Sequence, residues 1–114
     1  MLDTTQEPAG AAGQPSREAT FRLHEGGKLR VESRVPLVDR DSLAMAYTPG
    51  VADVSAAIRD DRELSFQYTG RANAVAVVSD GSAVLGLGDV GPEAAMPVLE
   101  GKAVLFRELG GVDA

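Results

Sequence analysis

The stretch GLGDVGPEAAMPVLEGKAVLF, residues 86–106, joins a glycine pattern to an apolar helical run. Gly86, Gly88 and Gly91 match the G-x-G-x-x-G pattern that opens dinucleotide-binding helices. Pro92 follows at a position that suits the first turn of a helix. A single lysine, Lys102, lies among the apolar residues of the run. The function of the chain depends on whether the glycines or the lysine carry the chemistry.

The glycine pattern has features for and against dinucleotide binding. Asp113 follows at about the 20-residue distance at which the fingerprint places an acidic residue. However, the apolar segment before the glycines, Ala83–Leu85, is short and resembles the return arm of a hairpin. Asp89 also puts a carboxylate where a pyrophosphate would approach. We therefore favour a tight turn in which glycine permits unusual φ angles, and dinucleotide binding stays an alternative.

The helical rotation of about 100° per residue places Lys102 on an apolar face. Glu93, Glu100 and Arg107 fall within about 40° of one another and predict a solvated stripe, and Lys102 lies about 180° from Glu93. The residues that share its face are Ala95, Leu99, Phe106 and Leu109. Lysine is seldom fully buried unless it is paired. Lys102 is therefore either a structural lysine whose stem is buried or an amine that faces a cleft as a general base.

Composition restricts the class of protein. The 114 residues are 44% hydrophobic and only 4% aromatic, which suits one small domain or a piece of a larger protein. The net charge of −6 argues against a nucleic-acid partner. The sequence has no cysteine, so disulfides and thiol catalysis are excluded. It has neither an apolar run of about 20 residues nor a secretory signal. We expect a cytoplasmic protein with no membrane partner.

The pattern along the chain predicts an α/β fold of short buried strands with flanking helices. Residues 1–22 are predicted to be a disordered tail because they combine proline, glycine and small polar residues without periodicity. Residues 23–114 are predicted to be the folded domain. Ala74–Val78 is a continuous apolar run typical of a strand buried on both faces. Asp80-Gly81 is a turn signal, after which Ala83–Leu85 is predicted to return as a second strand.

Tyr47 is a second candidate site residue. It directly precedes Thr48-Pro49, which we interpret as an N-cap and the first position of a helix that runs to about Arg59. The ring would lie near the positive end of that helix, where anions bind favourably, although a tyrosine can equally serve packing. His24, the one histidine, has no partner histidine or cysteine, and we assign it no ligand role.

Four segments together resemble a known family. They are Ala46–Val51 (AYTPGV), Val77–Gly81 (VVSDG), Gly86–Pro92 (GLGDVGP) and Met96–Lys102 (MPVLEGK). In that order and with matching spacing, they resemble the N-terminal domain of bacterial malic enzymes of the small type. The likeness covers about residues 24–114, and four motifs make it far more specific than the glycine pattern alone.

The resemblance implies oxidative decarboxylation of (S)-malate to pyruvate and CO₂, with NAD or NADP and with Mg²⁺ or Mn²⁺. It assigns Lys102 as the general base on the malate C2 hydroxyl and Tyr47 as the general acid that protonates enolpyruvate. Gly88, Asp89 and Gly91 would shape a substrate loop. The cofactor and metal sites of the family belong to later sequence, so none is expected in this chain. The full-length protein is expected to be a homo-oligomer.

The sequence departs from the family pattern in two ways. Larger members carry a substrate-binding arginine where this chain has Ala83, so the partner of the malate carboxylate is unassigned. The chain also ends at Ala114, before the metal ligands and the nicotinamide domain of the family. We therefore expect a truncated malic enzyme domain that is inactive alone. The alternatives are a non-catalytic interaction or dimerisation module and a free-standing dinucleotide-binding domain.

Overall fold

A computed structural model gives the structure of the protein and describes residues 13–114. Its helices are α1 Arg17–His24, α2 Arg40–Ala46, α3 Val51–Asp60, α4 Leu64–Tyr68 and α5 Gly91–Gly110, with a 3₁₀ turn at Gly70–Asn73 between α4 and α5. Across the described range no strand forms, and the one β-type pairing is an isolated parallel bridge between Ala74 and Asp113. The predicted α/β class with short buried strands is therefore wrong for residues 13–114, which are helical with long loops.

The predicted strand Ala74–Val78 pairs only at its beginning. The Val75 N–H donates to the Asp113 carbonyl at 2.8 Å, and the Asp113 N–H donates to the Asn73 carbonyl at 2.9 Å. A strand needs a neighbour along its length to satisfy its backbone groups. The described chain places no second strand there, and Val78 is 87% exposed. The apolar composition therefore predicted a strand that the backbone pairing does not form.

The chain turns at Asp80-Gly81 as predicted, but no hairpin follows. The Ser82 N–H donates to Asp80 Oδ1 at 2.9 Å, and Gly81 has a φ of 74°. The predicted return strand Ala83–Leu85 is wrong, because the chain enters a second turn there. The Val84 N–H donates to the Gly88 carbonyl at 2.9 Å, across that turn. Gly81 and Gly88 thus mark two successive turns in one loop.

The first described helix begins within the predicted tail. Ser16 caps α1, because its side-chain oxygen accepts from the Ala19 N–H at 3.1 Å. Glu18 and Arg22 pair one turn apart on the same helix. Residues 17–22 are therefore helical instead of disordered, and residues 1–12 lie outside the described part of the chain.

Helix α3 begins later than the sequence predicts. Thr48-Pro49 is a cis peptide, Gly50 occupies the N-cap, and the helix starts at Val51. The Gly50 N–H donates to the Ala44 carbonyl of α2 at 2.9 Å. This bond closes the α2–α3 connection into a turn, so the helical register starts after the proline and not at it.

Helix α5 begins where the sequence predicts and carries most of the small core. It contains proline in its first turn and ends at Gly111, whose φ of 66° gives a left-handed cap. Ala95 and Ala103 are 1% and 4% exposed and are buried together with Val84 at 6%. The core therefore lies between α5 and the loop that precedes it.

The rest of the chain spreads away from this core. The radius of gyration is 20.1 Å, whereas a compact domain of 100 residues has about 13 Å. Large apolar side chains are exposed on the first four helices; examples are Phe21, Leu23, Met45 and Phe66. Among residues 13–114 no helix has the length and apolar character needed to cross a bilayer.

Candidate functional site

A cleft of about 220 Å³ lies between α5 and the chain segment 77–85. Its lining residues are Val77, Val78, Ser79, Ala83, Val84, Leu85, Ala95, Val98, Leu99 and Lys102. Pockets for drug-sized ligands typically measure about 300–1,000 Å³. The size of this cleft therefore suits a small metabolite of a few carbon atoms.

Lys102 is the one ionisable side chain in the lining of this cleft. The apolar face predicted for Lys102 is confirmed in the first half of α5, because Ala95 and Leu99 line the same cleft as Lys102. The apolar face predicted for Lys102 is not a core face at this position, because the cleft opens to solvent and Lys102 is exposed. The apolar stripe also continues into solvent, since Leu109 is 82% exposed. Lys102 therefore presents an amine at an apolar cleft that solvent can enter.

Ser79 adds the second polar side chain. Its Oγ accepts the Gly81 N–H at 3.0 Å, which fixes the hydroxyl in the turn. A serine hydroxyl can still donate its own hydrogen to a bound oxygen. Lys102 and Ser79 thus offer an amine and a hydroxyl among mainly apolar lining residues. This combination suits a small metabolite that carries oxygen atoms and a short carbon chain.

The glycine loop packs against the beginning of α5. The N–H groups of Val90 and Gly91 both donate to the Gly81 carbonyl, at 3.0 and 3.2 Å. Gly88 and Gly91 have φ angles of 77° and 81°, so the interpretation as tight turns is confirmed. A dinucleotide site needs free N–H donors at this point for the pyrophosphate. The Gly81 carbonyl already accepts hydrogen bonds from two of these N–H groups, those of Val90 and Gly91. The loop therefore does not fit a dinucleotide.

No metal centre is formed by the residues that the structure describes. From residue 13 onward, no three histidine, aspartate or glutamate side chains lie close enough together to hold an ion. Divalent cations such as Mg²⁺ require several oxygen ligands.

The other predicted site residues lie outside the cleft lining. Tyr47 is 67% exposed; its N–H donates to the Leu43 carbonyl at 2.9 Å, and its carbonyl accepts from Val51 at 2.7 Å. Gly88 and Asp89 belong to the loop before α5, and Gly91 is the first residue of α5. None of the three lines the cleft. The structure thus brings Lys102 to the cleft and leaves Tyr47 outside its wall.

A polar cluster that the sequence analysis missed joins the end of α1 to α5. Lys28 Nζ lies 2.8 Å from His24 Nε2 and donates to the Pro97 carbonyl at 2.6 Å. The Lys28 N–H donates to Glu100 Oε2 at 2.9 Å. Glu100 is therefore bonded and half-buried instead of solvated, contrary to its predicted place in the polar stripe. In the sequence, the sign of this cluster was the four-residue spacing of His24 and Lys28.

Asp80 makes the turn beside the cleft sensitive to acid. The hydrogen bond from the Ser82 backbone lowers the pKa of Asp80 below its ordinary value of 3.8. A lowered pKa stabilises the fold above about pH 4, and this contribution is lost as the pH falls through the folded-state value. We expect Asp80→Asn, which keeps a turn-forming oxygen but does not titrate, to lose less stability between pH 5 and pH 3. Urea unfolding at each pH measures this. Equal acid sensitivity in both proteins would contradict the role of Asp80.

Comparison with known proteins identifies relatives of most of the chain. The family model of the malic enzyme N-terminal domain matches residues 26–114. The NAD-dependent malic enzyme of Geobacillus stearothermophilus is 57% identical over 97 residues, which cover 85% of this chain and 20% of that protein. The NADP-dependent malic enzyme of Halomonas elongata is 51% identical over 101 residues, 86% of this chain and 24% of that protein.

Solved structures show the same similarity. The malic enzyme of Pyrococcus horikoshii superposes with a TM-score of 0.82 at 48% identity, over 86% of this chain and 24% of that one. The chain thus spans about a quarter or less of the length of these relatives.

Proposed function

The chain belongs to the malic enzyme family, whose N-terminal domain it carries, and we propose that it supplies the proton-transfer groups for the oxidative decarboxylation of (S)-malate. The observation that carries the proposal is the position of Lys102, the one ionisable group among the mainly apolar residues that line a cleft of metabolite size. Both NAD- and NADP-dependent malic enzymes are among its relatives. The chain would form part of a longer protein, the full-length protein of the tests below, which would use one of these nicotinamides with Mg²⁺ or Mn²⁺ held by residues other than those described.

Lys102 would act as the general base. Oxidation of malate at C2 requires removal of the hydroxyl proton, and an amine is a side-chain group that can serve as the base for this step. Val98 and Leu99, also on α5, line the same cleft. Ser79 can donate a hydrogen bond to a substrate oxygen. Positioned bases of this kind typically contribute about 10²–10⁴-fold in rate.

Tyr47 would act as the general acid after decarboxylation. Loss of CO₂ leaves enolpyruvate, which becomes pyruvate when C3 takes up a proton, and the phenolic hydroxyl of Tyr47 is a group that can donate one. The exposure of Tyr47 and its place outside the cleft lining mean that another surface must approach the ring for this role. The resemblance of the Tyr47-Thr-Pro-Gly50 motif to that of the family supports the assignment.

We expect Tyr47→Phe, in the full-length protein that contains this segment, to lower kcat by about 10²-fold, the lower end of the range for general acids. Water can replace an exposed proton donor in part, which keeps the loss small. Steady-state kinetics with (S)-malate would measure the effect. Tyr68→Phe is the matched control, because Tyr68 is also exposed but lies on α4 outside the motif. Equal kcat in the two variants would remove Tyr47 from the mechanism.

The proposed reaction is tested by nicotinamide reduction in the full-length protein. With (S)-malate and Mn²⁺, reduced nicotinamide and pyruvate should form in equal amounts, and (R)-malate should give no turnover. Formation of oxaloacetate without pyruvate, or no reaction with either nicotinamide, would contradict the proposal. Gly88→Ala should leave nicotinamide binding unchanged, because the glycine loop does not fit a dinucleotide.

The exposed apolar surface of α1–α4 supports a second role in assembly. Side chains such as Phe21, Leu23 and Met45 are 61%, 69% and 74% exposed. Large exposed apolar side chains in such number are typical of a surface that a partner covers. We propose that the full-length protein is a homo-oligomer that buries part of this surface. Sedimentation equilibrium should give a multiple of the chain mass, whereas a single-chain mass at micromolar concentration would contradict assembly.

A further inference from the structure

We infer that Lys28 is a positioning residue that holds the turn of α5 leading into Lys102, an inference that rests on the proposed function. Lys28 lies just after α1 and reaches α5 across about 70 residues of sequence. Its Nζ donates to the Pro97 carbonyl at 2.6 Å, and its backbone N–H donates to Glu100 Oε2 at 2.9 Å. One residue therefore contacts α5 at two points within a single helical turn.

The point of attachment is where α5 is weakest. Pro97 has no N–H, so the helix lacks the hydrogen bond that this position would make to the preceding turn. Proline inside a helix commonly bends it. The Lys28 ammonium binds the carbonyl of the same residue, immediately after the missing bond. Lys28 therefore stabilises the helix segment between Pro97 and Lys102 against the freedom that Pro97 introduces.

His24 fixes the direction of the Lys28 side chain. His24 Nδ1 lies 2.7 Å from the Thr20 carbonyl, and a carbonyl can only accept, so Nδ1 carries the hydrogen. In the neutral ring Nε2 is then an acceptor, and Lys28 Nζ donates to it at 2.8 Å. Both His24 and Lys28 are half-buried. The ammonium thus bridges the end of α1 and the middle of α5.

The contact surface lies behind the cleft. Pro97 and Glu100 are about 140° and 160° around the α5 axis from Lys102. Lys28 is absent from the cleft lining, and its Nζ lies 3.7 Å from where a Cβ on Gly101 would stand. Lys28 therefore acts through the helix backbone and not through contact with substrate. A displacement of about 1 Å at a reacting group can cost about 10²-fold in rate.

The test compares Lys28→Met with Lys28→Arg and Arg30→Met in the full-length protein. We expect Lys28→Met to lower kcat about 10–100-fold with little change in KM, and Lys28→Arg to restore most of the loss by keeping a charged donor. Arg30→Met is the matched control, since Arg30 is exposed and pairs only locally with Glu32. Hydrogen exchange at the Gly101 and Lys102 amides should be faster in Lys28→Met alone, which reports the helix turn independently of activity.

The outcomes distinguish a failure of the role of Lys28 from a failure of the proposed function. If the wild type oxidises malate and Lys102→Ala does not, an unchanged kcat and unchanged amide exchange in Lys28→Met would overturn the role of Lys28 alone. Loss of kcat that merely follows loss of folded protein by circular dichroism, without rescue by arginine, would also overturn it. If the wild type does not turn over malate, the proposed function fails, and the inference fails with it.

Discussion

Lys102→Ala in the full-length protein should lower kcat by about 10²–10⁴-fold, with a smaller change in KM. Lys102 is the one ionisable side chain that lines the cleft, and a general base contributes about this factor to the rate. Because the amine accepts a proton mainly in the transition state, its removal affects kcat more than substrate binding. Steady-state kinetics with (S)-malate and the preferred nicotinamide would measure both parameters.

Two further variants test whether the loss of kcat comes from the amine, from the aliphatic stem of Lys102 or from a change in the helix. Lys102→Met retains an unbranched side chain of similar length and should be as impaired as Lys102→Ala. Glu108→Ala changes an exposed residue of the same helix that does not line the cleft and should retain wild-type kcat. Full activity in Lys102→Met, with its fold confirmed by circular dichroism, would show that Lys102 is a structural lysine.

Gly81→Ala should destabilise the fold by about 3–5 kcal/mol. Gly81 has a φ of 74°, and a Cβ there would stand 1.9 Å from the Gly91 carbonyl oxygen. The left-handed conformation costs a residue other than glycine about 1–3 kcal/mol. The clash would also displace the two hydrogen bonds from Val90 and Gly91 to the Gly81 carbonyl, each contributing about 1 kcal/mol.

Gly86→Ala is the matched control for this prediction. Gly86 belongs to the same loop, but it has no positive φ, and a Cβ there would meet no neighbour within 4 Å. Its replacement should change stability by no more than about 0.5 kcal/mol. Urea unfolding of the two variants gives the comparison. Equal midpoints would mean that the contact of the glycine loop with α5 does not support the cleft.

The sequence predicted the parts of this structure that depend on local chemistry. Proline in the first turn marked the start of α5, and the turn at Asp80-Gly81 follows from residues suited to it. Strand formation depends on a partner elsewhere in the chain, which a local apolar run such as Ala74–Val78 does not reveal. The α/β prediction failed for this reason.

The candidate site could likewise be predicted only where it depends on local sequence. Helical rotation correctly placed Lys102 beside Ala95 and Leu99. It did not reveal that the surrounding face is open, because exposure depends on which segments pack against α5. Glu100 was placed in the solvated stripe for the same reason, since its partner Lys28 is 72 residues away in sequence. Contacts between residues so far apart in the sequence produce no periodic pattern of polar and apolar residues.

Protection of Lys102 by substrate tests the central claim most directly. Lys28 and Lys102 are the two lysines of the 114-residue sequence, so Lys28 serves as an internal reference. The full-length protein is treated with an amine-acylating reagent, with and without (S)-malate, and peptide mass spectrometry measures acylation at each lysine. The account predicts that (S)-malate slows acylation of Lys102 and leaves that of Lys28 unchanged, whereas equal acylation of Lys102 at saturating (S)-malate would contradict it.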